Sequence, residues 1–149
     1  MMRNILKIVN NALFIIIIII LAGYFALRML NKIEIYGVTT GSMENNIHAG
    51  DYILIIRKND YNIGDIVTYK KSDYFITHRI VKKDNNIFVT KGDANNLEDD
   101  AINISDIEGK VIMSGGILNI IINYKFAIAA IWLSLYLISC YFDKEKKNL

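Results

Sequence analysis

The chain has long apolar runs at both ends and short alternating runs between them. Residues 8–27 form an uncharged, isoleucine-rich run that can cross a bilayer core of about 30 Å as a single helix. Residues 126–142 form a second apolar run near the short limit for a span, and residues 120–124 extend it if Lys125 reaches the interface. The pattern therefore predicts one N-terminal and one C-terminal transmembrane helix.

Each apolar run has an alternative interpretation. The first run could be a cleavable signal peptide, but it is longer than a signal-peptide core and no small-x-small cleavage site follows it. We therefore expect an uncleaved anchor. The second run could be an amphipathic helix that lies on the membrane surface or packs on the domain, but its apolar residues surround the helix, which favours insertion.

Cationic residues predict how the two helices are oriented. By the positive-inside rule, the cations near the chain ends place both ends in the cytoplasm and the middle of the chain outside the cell membrane. Arg28 and Lys32 lie beside the opposite end of the first run and count against this orientation. The cations on the expected cytoplasmic side are Arg3, Lys7, Lys144, Lys146 and Lys147.

Between the helices, β-branched and aromatic residues recur in short runs separated by Gly, Asn and Asp turn signals. Short strands with such turns predict a mainly β fold, either a compact β-barrel or a sandwich. We expect an anchor helix with a short cytoplasmic end (1–30), an extracytoplasmic β-rich domain (31–116), and a C-terminal helix with a basic tail (117–149). The predicted strands are 33–36, 52–56, 66–69, 74–81, 87–89 and 107–112.

Composition and charge add little to this picture. The net charge is +2 and the cations form no stripe, so we expect no nucleic-acid partner. Cys140 is the only cysteine, which excludes an intrachain disulfide. Its place in the second apolar run indicates a packing role.

The β-rich segment contains a serine and a histidine in contexts that suit catalysis. Ser42 follows Gly41, which we expect to permit the turn that presents the hydroxyl. Of the two histidines, His78 lies on an apolar strand face, whereas His48 is expected in an exposed loop. Taken singly, such a serine is an ordinary turn residue and such a histidine a core residue. A hydroxyl, an imidazole and a carboxylate together can perform acyl transfer on a peptide bond.

Candidate carboxylates lie in a loop after the strand that ends near Lys91. Asp93, Asp99 or Asp100 could accept a hydrogen bond from the second ring nitrogen of His78 and hold its tautomer. The alternatives are ordinary turn chemistry and a calcium site, although the spacing does not match an EF-hand.

Four short blocks carry this chemistry in order along the chain. They are Gly41-Ser42-Met43-Glu44 with Gly50-Asp51, then Gly64-Asp65-Ile66-Val67, then Thr77-His78-Arg79-Ile80-Val81, then Lys91-Gly92-Asp93 through Asp99-Asp100. In these blocks the chain resembles the type I signal peptidases of the endoplasmic-reticulum type, the Ser–His–Asp branch. The resemblance covers nearly the whole β-rich segment and implies a small β-barrel-like catalytic domain.

The resemblance implies a role for each candidate residue. Ser42 is the nucleophile and His78 the general base, at the position where the usual bacterial branch has a lysine. Asp99 matches the triad aspartate and Asp93 a second important one. Asp100 replaces Asp99 if the loop carries one inserted residue.

Further expectations follow from the resemblance. The oxyanion donors are the Ser42 backbone N–H and the Thr40 hydroxyl, and no cofactor or metal is implied. Asn45 departs from the family, which usually has proline there, and this loosens the turn after the nucleophile. The residues expected to line shallow substrate pockets are Ile47, Tyr52, Ile53 and Ile80.

The expected activity is removal of signal peptides from secreted preproteins by a membrane-bound serine endopeptidase that cuts after small residues. The expected partners are signal peptides and the lipid bilayer, with the secretion translocon as a candidate. A self-cleaving protease of similar fold is a rival interpretation, but such proteases use a lysine base. A second rival is a non-enzymatic, membrane-anchored β module of a secretion complex.

The expected orientation is testable by protease protection. A protease added to intact cells or right-side-out vesicles should cut within residues 31–116 and spare tags fused to either end, because the flanking cations hold both ends inside. A tag at the C-terminus that is cleaved while the middle segment is protected would contradict this orientation.

Overall fold

A computed structural model describes the backbone of residues 2–147 and the side chains of residues 8–138. The chain divides into two units, one formed by Met1–Ala26 with Ile120–Leu149 and the other by Leu27–Asn119. The thiol of Cys140 and the terminal cations lie outside the described side chains.

The first unit contains most of the two apolar helices, α1 (Met2–Met29) and α2 (Gly116–Lys147). Among the described residues, two helices are long and apolar enough to cross a membrane, over Ile8–Met29 and Gly116–Ile138. The helix α2 therefore starts ten residues before the predicted run, and its apolar stretch includes Lys125. Within this unit, the ring of Phe14 stacks on Trp132 at a centroid distance of 5.4 Å.

Local chemistry explains where α1 ends. Asn31 adopts a left-handed conformation with φ of 50°. The Asn31 N–H donates to the Arg28 carbonyl at 2.9 Å, and the Lys32 N–H donates to the Leu27 carbonyl at 2.9 Å. This is the Schellman arrangement, which satisfies the last carbonyls of a helix and turns the chain out of it.

The second unit is built on a β-sheet, and each predicted strand is present, several of them longer than predicted. Two elements were not predicted, namely a two-residue strand at Ile102–Asn103 and a 3-10 turn at Ile104–Asp106. They are too short to give a periodic pattern. The strands are β1 (Ile33–Gly37), β2 (Tyr52–Ile56), β3 (Ile66–Lys71), β4 (Tyr74–Asp84), β5 (Ile87–Lys91), β6 (Ile102–Asn103) and β7 (Ile107–Ser114).

Within residues 2–147, the strands form one seven-stranded sheet in the order β1-β2-β7-β3-β4-β5-β6, and every pairing is antiparallel. The sheet is not a closed barrel, so the barrel-like expectation was wrong on this point. The strands β1 and β6 are the two edges and do not pair with each other. Register shifts in β2, β3 and β4 bend the sheet without closing it.

Two buried clusters hold this unit together. One contains Phe88 and Tyr61, whose rings meet edge to face, and it packs beneath β3, β4 and β5. The other contains Met43 and Ile47 together with Ile53 of β2. Burial of each such side chain contributes about 1.5–3 kcal/mol. Because Met43 and Ile47 follow Ser42 closely in sequence, the second cluster also fixes the segment that carries this serine.

Candidate active site

Ser42 lies on a tight turn between β1 and β2. The Glu44 N–H donates to the Gly41 carbonyl at 3.0 Å, and the Ile47 N–H donates to the Met43 carbonyl at 2.9 Å. Met43 and Ile47 are 2% and 1% exposed, so their side chains anchor the turn while Ser42 stays partly exposed.

The residue with the unusual backbone in this turn is Asn45, with φ of 76°, and Gly41 does not have a positive φ. Asparagine tolerates this left-handed conformation, whereas proline is locked near −65°. The turn of this chain is therefore incompatible with proline at position 45. The turn is closed by its own hydrogen bonds, so asparagine at position 45 does not loosen it.

His78 lies in the middle of β4 and is only 5% exposed. Its Nε2 atom is 3.0 Å from the Ser42 Oγ, and its Nδ1 atom is 2.6 Å from Asp99 Oδ2. The structure thus brings together a serine, a histidine and an aspartate that are 36 and 21 residues apart in sequence. A hydroxyl linked to an imidazole, itself oriented by a carboxylate, is the arrangement that activates a serine for nucleophilic attack.

The other candidate acid and the other histidine lie elsewhere. Asp100 projects its carboxylate into solvent, where Lys71 Nζ lies 3.0 Å away. His48 has a side chain that is 65% exposed and lies near Glu44 and Asp51, as expected for a loop histidine.

Asp99 is held by more than the histidine. Its backbone N–H donates to the Thr90 carbonyl at 2.8 Å, and its Oδ2 atom lies 2.7 Å from the Thr90 hydroxyl. Thr90 Oγ1 in turn lies 3.3 Å from the hydroxyl of Tyr69. Burial raises the pKa of Tyr69 to about 12, and the charge of Asp99 acts in the same direction.

Asp93 connects the turn that carries Ser42 to β4, the strand that carries His78. Its carboxylate accepts from Arg79 Nε at 2.9 Å and from Arg79 Nη2 at 2.7 Å. It also accepts from Asn46 Nδ2 at 2.7 Å, and the Asp93 N–H lies 3.4 Å from the Met43 sulfur. Because Arg79 directly follows His78, Asp93 acts as a positioning residue in this arrangement. The Arg79 hydrogen bonds, opposed in part by burial, hold the pKa of Asp93 below its ordinary value.

The loop after β5 closely approaches the turn that carries Ser42, and the point of approach is Gly92. A Cβ atom at this position would lie 2.7 Å from the Ser42 carbonyl oxygen and 2.7 Å from Asn95 Nδ2. The next contact along the loop is a hydrogen bond from the Ala94 N–H to the same Ser42 carbonyl at 2.9 Å. Glycine is therefore required at position 92 for the acidic loop to reach Ser42.

Ser42 and His78 open onto a cleft of about 710 Å³. The walls come from residues 36–40 on one side and residues 74–77 on the other. Ile47 lies among the lining residues, as expected, and so does Thr40, the expected oxyanion donor. Three of the residues expected in the pockets are not among those that line this cleft. Ile53 and Ile80 are buried in the core with 0% exposure, and Tyr52 lies outside the cleft. The full lining is Tyr36, Gly37, Val38, Thr39, Thr40, Ser42, Met43, Ile47, Thr68, Tyr74, Phe75, Ile76, Thr77, His78 and Asn95.

Sequence reasoning assigned no role to four residues around the candidate acids. Thr90, Asn46 and the guanidinium of Arg79 bond to these acids directly, and the Tyr69 hydroxyl lies against Thr90. For Arg79 a signal existed, since it directly follows the histidine. For the other three, residue type and spacing carry no indication of their partners.

Asp93 gives a pH-dependent prediction. Because its pKa is lowered on folding, its ionised form stabilises the fold above the pKa of an unfolded aspartate, about 3.9, and progressively less as the pH falls below it. The variant Asp93→Asn lacks this contribution. The difference in melting temperature between wild type and Asp93→Asn should therefore be largest near neutral pH and shrink in acid. Asp100→Asn, at an exposed ion pair, should change the melting temperature little. A wild-type advantage over Asp93→Asn that is constant across pH would contradict this.

No protein-family model matches the chain, and no curated protein sequence matches it significantly. The interpretation of the site therefore depends on its geometry and on the four sequence blocks.

Proposed function

We propose that the chain is a membrane-bound serine endopeptidase that removes signal peptides from secreted preproteins. The observation that carries the proposal is the hydrogen-bonded line from the Ser42 hydroxyl through His78 to Asp99, at the wall of an open cleft. The order of the four sequence blocks supports it, as do the two helices that are long and apolar enough to cross a membrane.

In the proposed acylation step, Ser42 Oγ attacks the carbonyl carbon of the scissile peptide bond. His78 Nε2, 3.0 Å away, takes the hydroxyl proton as the new C–O bond forms. Asp99 accepts a hydrogen bond from the Nδ1–H of His78, so the other ring nitrogen has a free lone pair, and the carboxylate stabilises the imidazolium that forms.

The tetrahedral intermediate then collapses to an acyl-enzyme. The developing oxyanion is assigned to the Ser42 backbone N–H and the Thr40 hydroxyl, which lies on the cleft wall. His78 returns its proton to the leaving amine as the C–N bond breaks. A water molecule then attacks the ester carbon while His78 takes one of its protons, and His78 returns that proton to Ser42 Oγ as the bond between the acyl carbon and Oγ breaks.

The cleft fits a peptide bound in extended form. One wall contains Tyr36 and Gly37 of the edge strand β1. The opposite wall is residues 74–77 of β4, which lie before the part of β4 that pairs with β5, from Arg79 onward. Both walls therefore offer backbone groups for pairing with an added strand. The proposed scissile residues are small, since they approach Ser42 between apolar side chains such as Val38 and Ile76.

The proposed setting is the cell membrane, with the catalytic domain on the extracytoplasmic side. The apolar core of a signal peptide lies in the bilayer. Membrane anchors would therefore keep the active site of this enzyme close to the bond that it cuts. The alternative is a non-enzymatic membrane-anchored β module of a secretion complex, in which Ser42, His78 and Asp99 would bind without reacting.

Replacement of the nucleophile separates these functions. Ser42→Ala should abolish cleavage of a preprotein by the full-length protein in detergent or vesicles, because no other group supplies the attacking oxygen. The fold should persist, since Ser42 is at the surface of an anchored turn. The matched control is Ser105→Ala, at an exposed serine of the 3-10 turn, which should cleave at the wild-type rate. Cleavage by Ser42→Ala near that rate would reject the proposal.

The base and the acid are tested by paired variants. His78→Ala should lower the cleavage rate about 10³-fold or more, as when a triad member is removed, whereas His48→Ala should have little effect.

Asp99→Asn should lower the cleavage rate severely and Asp100→Asn only mildly, because Asp99 alone of the two contacts His78. A severe Asp100→Asn defect beside an active Asp99→Asn would overturn the assigned acid.

A further inference from the structure

Asp99 has two donors, the ring N–H of His78 and the hydroxyl of Thr90, and the mechanism above uses only the first. Asp99 Oδ2 lies 2.6 Å from His78 Nδ1 and 2.7 Å from Thr90 Oγ1. Thr90 is 0% exposed, so its hydroxyl has no access to bulk water. The same carboxylate oxygen is thus fixed from two sides.

Counting protons sets the direction of these bonds. Thr90 has one hydroxyl proton, and a carboxylate can only accept, so Thr90 donates to Asp99. The Tyr69 hydroxyl lies 3.3 Å from Thr90 Oγ1 in the position of an acceptor, and its own hydrogen bond to Asp99 is among the causes that raise the pKa of Tyr69. Tyr69 is 1% exposed, and its raised pKa keeps the phenol protonated at neutral pH.

The sheet register places both hydroxyls beside His78. In β3, Tyr69 is paired with Ile76, two residues before the histidine. In β5, Thr90 is paired with Ile80, two residues after it. Side chains two apart on a strand share a face, so the two hydroxyls reach the acid from the strands on either side of β4.

We propose that Tyr69 and Thr90 are positioning residues whose hydroxyls act together on the Asp99 carboxylate, a set of three side chains that we call the relay. The relay fixes the orientation of the Asp99 carboxylate, which keeps the ring proton of His78 on Nδ1 and leaves Nε2 free to take the proton of Ser42. Its kinetic consequence rests on the proposed function, whereas its effect on the histidine tautomer does not.

The rival explanation is that the two hydroxyls only satisfy one another in a buried region. That role would affect stability but would change neither kcat at constant KM nor the tautomer of His78. Conservative variants distinguish the two explanations, because Thr90→Ser keeps the hydroxyl and Thr90→Val keeps the shape without it.

The experiment uses the full-length protein in detergent micelles with a preprotein substrate. Thr90→Val should lower kcat about tenfold or more with KM unchanged, since a hydrogen bond to a charged group is lost. Thr90→Ser should restore kcat to within a few-fold of wild type. Tyr69→Phe, which removes the distal hydroxyl, should lower kcat by a smaller factor than Thr90→Val.

The matched control is Tyr61→Phe. Tyr61 is also 1% exposed, and its hydroxyl accepts a hydrogen bond from the Lys58 N–H at 3.1 Å. This variant removes one buried phenol from the same core cluster and should leave kcat unchanged.

The tautomer is read independently from the ring nitrogen NMR shifts of His78 in uniformly labelled protein. The only other histidine is His48, which is exposed and gives a separate reference signal. Wild type and Tyr61→Phe should show the Nδ1-protonated form alone, and Thr90→Val a mixture of tautomers.

Several results would overturn the relay. These are a folded Thr90→Val protein with wild-type kcat, a Thr90→Ser protein as slow as Thr90→Val, and an unchanged tautomer in both Thr90→Val and Tyr69→Phe. If Thr90→Val does not fold, Tyr69→Phe decides through the same two measurements. A wild-type protein that cleaves nothing would reject the proposed function, and the tautomer measurement would still decide the relay.

Discussion

The His78 imidazole is a polar ring held at 5% exposure in the middle of a sheet, and it has two nitrogens to satisfy. An unpaired polar group at such a position costs roughly 1–3 kcal/mol. Ser42 lies against one nitrogen and Asp99 against the other. Because these two residues come from different loops, both loops must close over β4 for the ring to be buried at low cost. The positions of the two loops over β4 are therefore tied to the burial of this ring.

The two loops are also bound to one another. Asp93 joins Asn46 of the serine turn to Arg79, the residue after the histidine. Successive residues on a strand point to opposite faces. His78 therefore binds the two loops from one face of β4, and Arg79 binds Asp93 from the other. The absence of a side chain at Gly92 lets the acidic loop reach the Ser42 carbonyl. A displacement of either loop therefore changes the serine, the base and the acid together.

Much of the architecture could be predicted from local pattern. The two apolar helices and the six longer strands were recognised because runs of one period extend over several residues. The short strand at Ile102–Asn103 was missed, since two residues show no period. The open sheet was also missed, because turns and alternation indicate strands but not whether the first and last of them meet. The residues that line the cleft walls were missed for the same reason. Ile53 and Ile80, which were expected to line the pockets, are core residues.

The sequence by itself determined the membrane-length helices, the β character of the middle segment and the residue types available for chemistry, because each depends on neighbours in the chain. Only the tertiary structure decided which of two adjacent aspartates reaches the histidine. Asp99 and Asp100 are adjacent residues of the same type, so neither residue type nor spacing distinguishes them. The path of the loop turns Asp99 toward His78 and Asp100 toward Lys71. The hydroxyls of Thr90 and Tyr69 became neighbours of the acid in the same way. Strand register and loop closure set such contacts between distant residues, and no local pattern in the sequence records them.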